Sequence, residues 1–287
     1  MLDSIVYKFI KNMRRKMKMF RKIKKWLKSA AGTISVILFI VSIILLGMAC
    51  SEYGKFTERM ANNINNILFG IGTNLLGIIV TVSFVQHFLD EQSSKTEHKE
   101  ENDKIKRYNR YMEILISRYI MYYTCVITPI DKRNKVRVAL SLDFNFEDMC
   151  DLYKESLYTC EGIYESSIEL FYKAEERLRN YMIEMVQNID FKYNEPLKEI
   201  ILQFIEKSAG YDMRGAILNN VKVFMGNKKM TEVIMENMKD RNAGWIEREK
   251  IGKLNSNVML PYVQLYKLLK IEAELLCQYE KYVDDEI

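Results

Sequence analysis

The chain is poor in histidine, proline and glycine. Among its 287 residues there are two histidines, His87 and His98, three prolines and twelve glycines. Two histidines are too few for most histidine-based catalytic or zinc sites, which need several ligands at short spacing. Few prolines and glycines mean few turns, so we expect long helices. The same scarcity excludes collagen-like repeats and low-complexity disorder.

The five cysteines, at positions 50, 125, 150, 160 and 277, include no C-x-x-C pair. An odd number at irregular spacing is not typical of a disulfide framework or a zinc site. We therefore expect reduced, mostly buried thiols in a cytosolic compartment, with no metal and no cofactor.

Recognisable catalytic motifs are also missing. The glycines of "GIGTNLLG" (70–77) lack a following Gly-Lys-Ser/Thr and lie in an apolar run, so they do not indicate a phosphate-binding loop. The all-α ribonuclease domains of bacterial defence systems use an Arg followed by a His, but here the last histidine, His98, precedes the helical domain. Neighbouring acids such as Glu175 and Glu176 are expected on a solvated helix face. We predict that the chain is not an enzyme.

Charge is distributed unevenly along the chain. The net charge is +5, yet residues 1–30 carry eleven Lys/Arg and one acid, and residues 31–89 are neutral overall. Residues 90–287 therefore carry −5. A mildly acidic C-terminal part argues against nucleic-acid binding there. Abundant Lys, Ile, Asn and Tyr favour a bacterial source with an AT-rich genome.

Two uncharged apolar runs predict membrane spans. About 20 helical residues cross a bilayer core of about 30 Å. We assign transmembrane helices to 30–50 and 67–89, joined by a short external loop at 51–66. The excess of cations before the first run and after the second places both termini in the cytoplasm, at a bacterial plasma membrane.

The N-terminal tail, 1–29, combines an apolar stripe with many cations. This pattern predicts a basic amphipathic helix on an anionic leaflet. The alternative is that the cations only set the topology of the spans. The residues expected at the membrane surface are Arg14, Arg15, Lys18, Arg21, Lys22, Lys25 and Trp26.

Small residues recur on one face of the second span. Thr73, Gly77 and Thr81 are spaced by four, and Asn74 lies on an adjacent face. Small residues at this spacing permit close helix contact, and Asn can donate across an interface. The partner is either the first span or a second copy of the chain.

Residues 90–128 begin with a charged stretch and continue as a heptad pattern. Apolar residues lie at 105, 108, 112, 115, 119, 122 and 126. Either one helix runs from the second span to near Pro129, or residues 92–96 break it. Because this seam is rich in aromatic residues, it favours a helix in the core of a bundle over a free dimeric coiled coil.

The remainder, 129–287, is expected to pack with 104–128 as a cytoplasmic helical domain, giving an all-α membrane protein: a two-helix transmembrane hairpin plus a helical bundle. Apolar periodicity predicts helices at 143–158, 163–189, 196–209, 230–240 and 256–283, with short extended pieces at 136–142 and 219–225.

A stretch rich in glycine, 208–229, interrupts these helices. It brings polar side chains together at a turn, which is either a binding loop or a helix connection with capping residues. The candidate residues are Tyr211, Asp212, Arg214 and Asn219.

These patterns favour a non-catalytic, membrane-anchored interaction or signalling protein that binds itself or an unidentified protein partner. In layout, two spans followed by a domain, the chain resembles membrane effectors of anti-phage and toxin systems, and the resemblance implies oligomerisation and membrane disruption on a trigger. An enzyme with an unrecognised site is the third hypothesis.

Overall fold

The fold is all-α, as the periodicity predicted. The computed structural model describes residues 30–50, 58–155, 165–255 and 257–287. The chain divides into two compact units, residues 1–96 and 97–287. The helices within the described residues are α1 (Ala30–Ala49), α2 (Glu58–Ile127), α3 (Ser167–Asn188), α4 (Glu195–Gly210), α5 (Arg214–Asn219), α6 (Met230–Lys239), α7 (Trp245–Lys250) and α8 (Leu260–Glu286).

In the first unit, α1 contacts the first part of α2. The Ser42 hydroxyl donates to the Gly72 carbonyl at 2.7 Å, and both residues are buried. Gly72 is required by close approach: a Cβ there would lie 2.9 Å from Leu46 Cγ. By length and composition, α2 is the one described helix that could cross a membrane, since the described apolar part of α1, Thr33–Ala49, is shorter.

Helix α2 runs without interruption for 70 residues. The break considered at 92–96 is absent, and the helix ends at Ile127, two residues before Pro129, as the restriction on residues preceding proline predicts. Its heptad seam is buried at Ile105, Met112 and Tyr119. The seam therefore belongs to the core of the second unit.

In the second unit, α3 and α8 contact one side of this part of α2. Helix α4 packs against α3 and α8, and α7 and α5 also contact α8. Helix α3 begins with a capping box, in which the side chains of Ser166 and Glu169 each accept the backbone N–H of the other residue. Pro196 and Pro261 lie in the first turns of α4 and α8, where a missing N–H costs nothing.

The connection from α2 to α3 differs from the prediction. The helix expected at 143–158 is wrong: a 3₁₀ helix covers Phe146–Asp151, and no strand forms at 136–142. Arg133 holds this connection together, since its guanidinium donates to the carbonyls of Thr128, Asp151 and Glu155. These backbone carbonyls are satisfied by one buried guanidinium group and not by the hydrogen bonds of a regular helix.

Between α5 and α6 the chain forms a small hairpin of two strands, β1 (Phe224–Met225) and β2 (Lys228–Lys229). The extended piece expected at 219–225 is confirmed only at Phe224–Met225, because Asn219 ends α5 and Asn220–Lys222 forms a 3₁₀ helix. The amphipathic tail with its surface residues, and residues 51–57 of the expected loop, fall outside the described residues. The rest of the loop expected at 51–66 is wrong, because residues 58–66 are helical and form the start of α2.

Candidate functional site

Among the described residues of the second unit, three glutamates are buried, at positions where the helical pattern calls for an apolar residue. They are Glu101 in α2, Glu175 in α3 and Glu272 in α8. A buried carboxylate is expensive unless it is paired, hydrogen-bonded or protonated. Their surroundings therefore define the candidate site.

Glu175 is held by three side chains from three helices. Its Oε2 lies 2.8 Å from Arg214 Nη2, and its Oε1 lies 3.6 Å from Arg179 Nη1. Ser208, in α4, donates its hydroxyl to Oε1 and accepts from Arg179 Nη1 at 3.1 Å. Arg214 Nη1 also binds Glu176 Oε2, at 2.8 Å. We call Glu175, Glu176, Arg179, Ser208 and Arg214 the charge network; it joins α3, α4 and α5.

Glu272 continues the network on α8. It is completely buried, and Tyr119 of α2 donates to its Oε2 at 2.7 Å. Its Oε1 has no hydrogen-bond partner among the described residues. Burial raises the pKa of Glu272 well above its usual range, and the neighbouring Glu175 raises it further. A carboxyl in this position keeps its proton to higher pH than one in water.

The other members also have shifted pKa values. Burial raises the pKa of Glu175, while Ser208, Arg179 and Arg214 oppose that rise. Burial, and then Glu272, raise the pKa of Tyr119 well above its usual range. Within the charge network, the two carboxylates of Glu175 and Glu176 face the two guanidinium groups of Arg179 and Arg214.

The sequence-predicted loop residues divide between the network and the surface. Of the loop residues, Arg214 belongs to the charge network. Its guanidinium also lies 5.0 Å from the centre of the buried Tyr172 ring. Asp212 accepts from the Arg214 backbone N–H at 2.9 Å, which shapes the turn. Tyr211 is half-buried and Asn219 is exposed. The adjacent Asn220 donates to the Tyr262 hydroxyl at 2.7 Å instead.

Glu101 lies at a second position, where α2 enters the second unit. Its Oε1 accepts the backbone N–H groups of Tyr193 and Asn194 and the side-chain amide of Asn194, at 2.8–3.1 Å. Asn194 is the residue before α4. The carboxylate thus caps the positive end of a neighbouring helix. One turn earlier, Glu97 binds Lys192 and the Tyr193 hydroxyl.

The predicted helix-packing residues lie away from the contact between α1 and α2. Thr73, Asn74, Gly77 and Thr81 are exposed, and a Cβ at Gly77 would meet nothing within 4 Å. Thr73 and Thr81 donate to carbonyls of their own helix. The contact uses Ser42 and Gly72 instead, which the spacing of small residues in α2 did not single out.

The solvated face expected for Glu175 and Glu176 is wrong for Glu175, and the charged stretch before 104 is not wholly solvated, because Glu101 is buried. The seam offered a signal. Glu101 lies four residues before Ile105, so it falls on the same helix face as the seam. Glu175 lies four residues after Phe171 and three before Leu178, so it falls on the inward face of α3. A charge at an apolar position of a strong seam predicts a buried, paired group.

The arrangement binds helices together: Glu175 has cationic partners, whereas Glu272 and Glu101 accept hydrogen bonds from uncharged donors. Among the described residues no group of three or more His, Cys, Asp and Glu is placed to hold a metal ion. Comparison with models of known protein families, with curated proteins and with solved structures finds no match for this chain.

Proposed function

We propose that the chain is a membrane-anchored, non-catalytic interaction or signalling protein, whose two apolar helices hold a helical domain at the cytoplasmic face of a bacterial plasma membrane. One observation carries the proposal. Within a single helix, α2, the side chains are apolar and exposed around Val80 and Phe84, and buried in a protein core around Met112 and Tyr119. A row of exposed apolar side chains is costly in water and favourable in a bilayer.

The contacts of α2 support a role in transmission. Its Glu101 caps α4, the Tyr108 carbonyl accepts from Tyr181 of α3, and Asn109 accepts from Tyr279 of α8. Together with Tyr119 and Glu272, these bonds join α2 to three other helices. A shift of α2 along its axis would break all of them at once. Packed interfaces of this kind change between discrete states, not gradually.

A charge-insertion experiment tests the anchor. Val80→Lys with Phe84→Lys changes exposed side chains, which a water-soluble helix would tolerate. Lysines inside a bilayer each cost about 3 kcal/mol. We expect the wild-type chain in the carbonate-resistant membrane fraction and loss of the double variant from it. Ile114→Lys, also exposed but in the second unit, is the matched control and should stay in the membrane. A wild-type chain in the soluble fraction would overturn the proposal.

Interaction is tested by crosslinking the full-length chain in cells, followed by mass spectrometry. A defined second protein attached to residues 97–287 supports an interaction module. Self-crosslinks confined to residues 70–126 instead favour homo-oligomerisation as the activity.

The open face at Gly77 favours a second candidate, an oligomerising membrane effector. Because α1 does not cover Thr73, Gly77 and Thr81, this face is available for a second copy. Overexpression should then depolarise the cell, and Gly77→Leu should abolish the effect. Harmless overexpression counts against this candidate.

A further inference from the structure

The hairpin between α5 and α6 presents apolar side chains at its tip. Phe224 pairs with Lys229 and Met225 with Lys228, and the turn passes through Gly226 at φ +63°. The Met230 backbone N–H donates to the Val223 carbonyl and closes the loop at its base. These bonds lie within the segment itself, so its shape is set locally.

This tip has no cover. All nine residues from 221 to 229 are exposed, with Phe224 63% and Met225 62% accessible. Val221 and Val223 beside them are exposed as well. Large apolar side chains grouped on a protruding surface mark a place of contact with another molecule.

The segment that carries the tip contains cations and no acid of its own. Residues 213–231 contain Arg214, Lys222, Lys228 and Lys229 and no acid, although residues 90–287 as a whole carry −5. Arg214 and Lys228 are paired with glutamates. Within the described residues, Lys222 and Lys229 form no ion pair and are exposed.

We propose that this hairpin inserts Phe224 and Met225 into the acyl boundary of an anionic lipid leaflet, with Lys222, Lys228 and Lys229 at the phosphates. A convex tip of two large apolar side chains with lysines behind it matches the layered polarity of a membrane surface. The inference rests on the proposed membrane anchor, which would keep the hairpin at high effective concentration near lipid.

Photo-crosslinking in isolated membranes tests it. A benzophenone amino acid is placed in the full chain at position 224, at position 202 or at position 84. Leu202 is the control, since it is apolar and 39% exposed but belongs to the regular helix α4. We expect lipid adducts at 84 and 224 and about tenfold fewer at 202. Lys222→Glu with Lys229→Glu should reduce the adducts at 224 several-fold and leave those at 84 unchanged.

The outcomes separate the two proposals. Lipid adducts at 84 without an excess at 224 over 202 overturn the hairpin inference and leave the anchor standing. No lipid adducts at 84 overturns the anchor. Adducts at 224 that are mainly to another protein, or to a second copy of the chain, overturn the lipid assignment. Far-UV circular dichroism of each variant confirms that helix content is retained.

Discussion

Glu175 and Glu176 each lie 2.8 Å from a guanidinium nitrogen of the same residue, Arg214, yet the side chain of Glu175 is 2% exposed and that of Glu176 is 49% exposed. One cation thus bridges the protein interior and solvent. Partner and distance are matched, but Glu175 is buried and is also bound by Arg179 and Ser208.

This pair gives the first prediction. Glu175→Gln should lower the free energy of unfolding by about 3 kcal/mol, because it leaves Arg179 and Arg214 without their buried counter-charge. Glu176→Gln should cost less than about 1 kcal/mol, as exposed pairs do. Urea unfolding of the full chain in detergent, followed by circular dichroism, measures both. Equal losses would mean that the network is solvated.

The second prediction concerns pH. Folding raises the pKa of Glu272 above its unfolded value of about 4.3, so the folded chain keeps a proton that the unfolded chain releases. Stability from this group is present below about pH 4 and is lost as pH rises towards the folded pKa. Glu272→Gln cannot ionise and should lose less stability between about pH 4 and about pH 8. Melting curves across this range, parallel for the two chains, would refute the prediction.

The third prediction concerns the cap on α4. Glu101→Ala should cost about 2 kcal/mol, because two backbone N–H groups and the Asn194 amide lose their acceptor. Faster hydrogen exchange should appear in the first turn of α4. Glu97→Ala, one turn away on α2 and more exposed, is the matched control and should change exchange there little. An unchanged exchange rate in the Glu101 variant would show that another group caps the helix.

The fourth prediction compares two glycines of α2. Gly72→Leu should separate α1 from α2, because even a Cβ at this position would lie 2.9 Å from Leu46 Cγ and 3.4 Å from the Ser42 carbonyl. Hydrogen exchange of α1 in detergent should then increase. A Cβ at Gly77 would meet nothing within 4 Å, so Gly77→Leu should leave α1 protected, but should reduce crosslinking between copies if they associate through this face. Exposure of α1 by both substitutions would contradict the contact at Ser42.

Periodicity predicted the helices well because each buries one apolar stripe. The bounds of α3, α4 and α6 fall within a few residues of those expected, and the heptad residues Met112 and Tyr119 are buried. The helix expected at 143–158 is wrong. Phe144 and Phe146 are buried, as apolar residues indicate, but burial does not determine the backbone conformation, and Arg133 stabilises an irregular backbone there.

The site was only partly predictable. Arg214 was singled out through its position in a glycine-rich turn, but its partner Glu175 was assigned to solvent on composition alone. Helical spacing places Glu175, Glu101 and Glu272 in the core, whereas their charge argues the opposite. Only the tertiary partners decide between these signals: Arg179 and Arg214 for Glu175, the start of α4 for Glu101 and Tyr119 for Glu272.

The unbroken course of α2 through the charged stretch at 90–104 has a consequence for sequence change. Each residue of an α-helix advances the direction of side chains by about 100°. Within the second unit, inserting one residue between Glu101 and Ile105 would therefore turn Glu101 by about 100° relative to the buried seam at Ile105 and Met112, and would carry its carboxylate away from the start of α4. The number of residues between Glu101 and Ile105 is thus fixed by rotational phase.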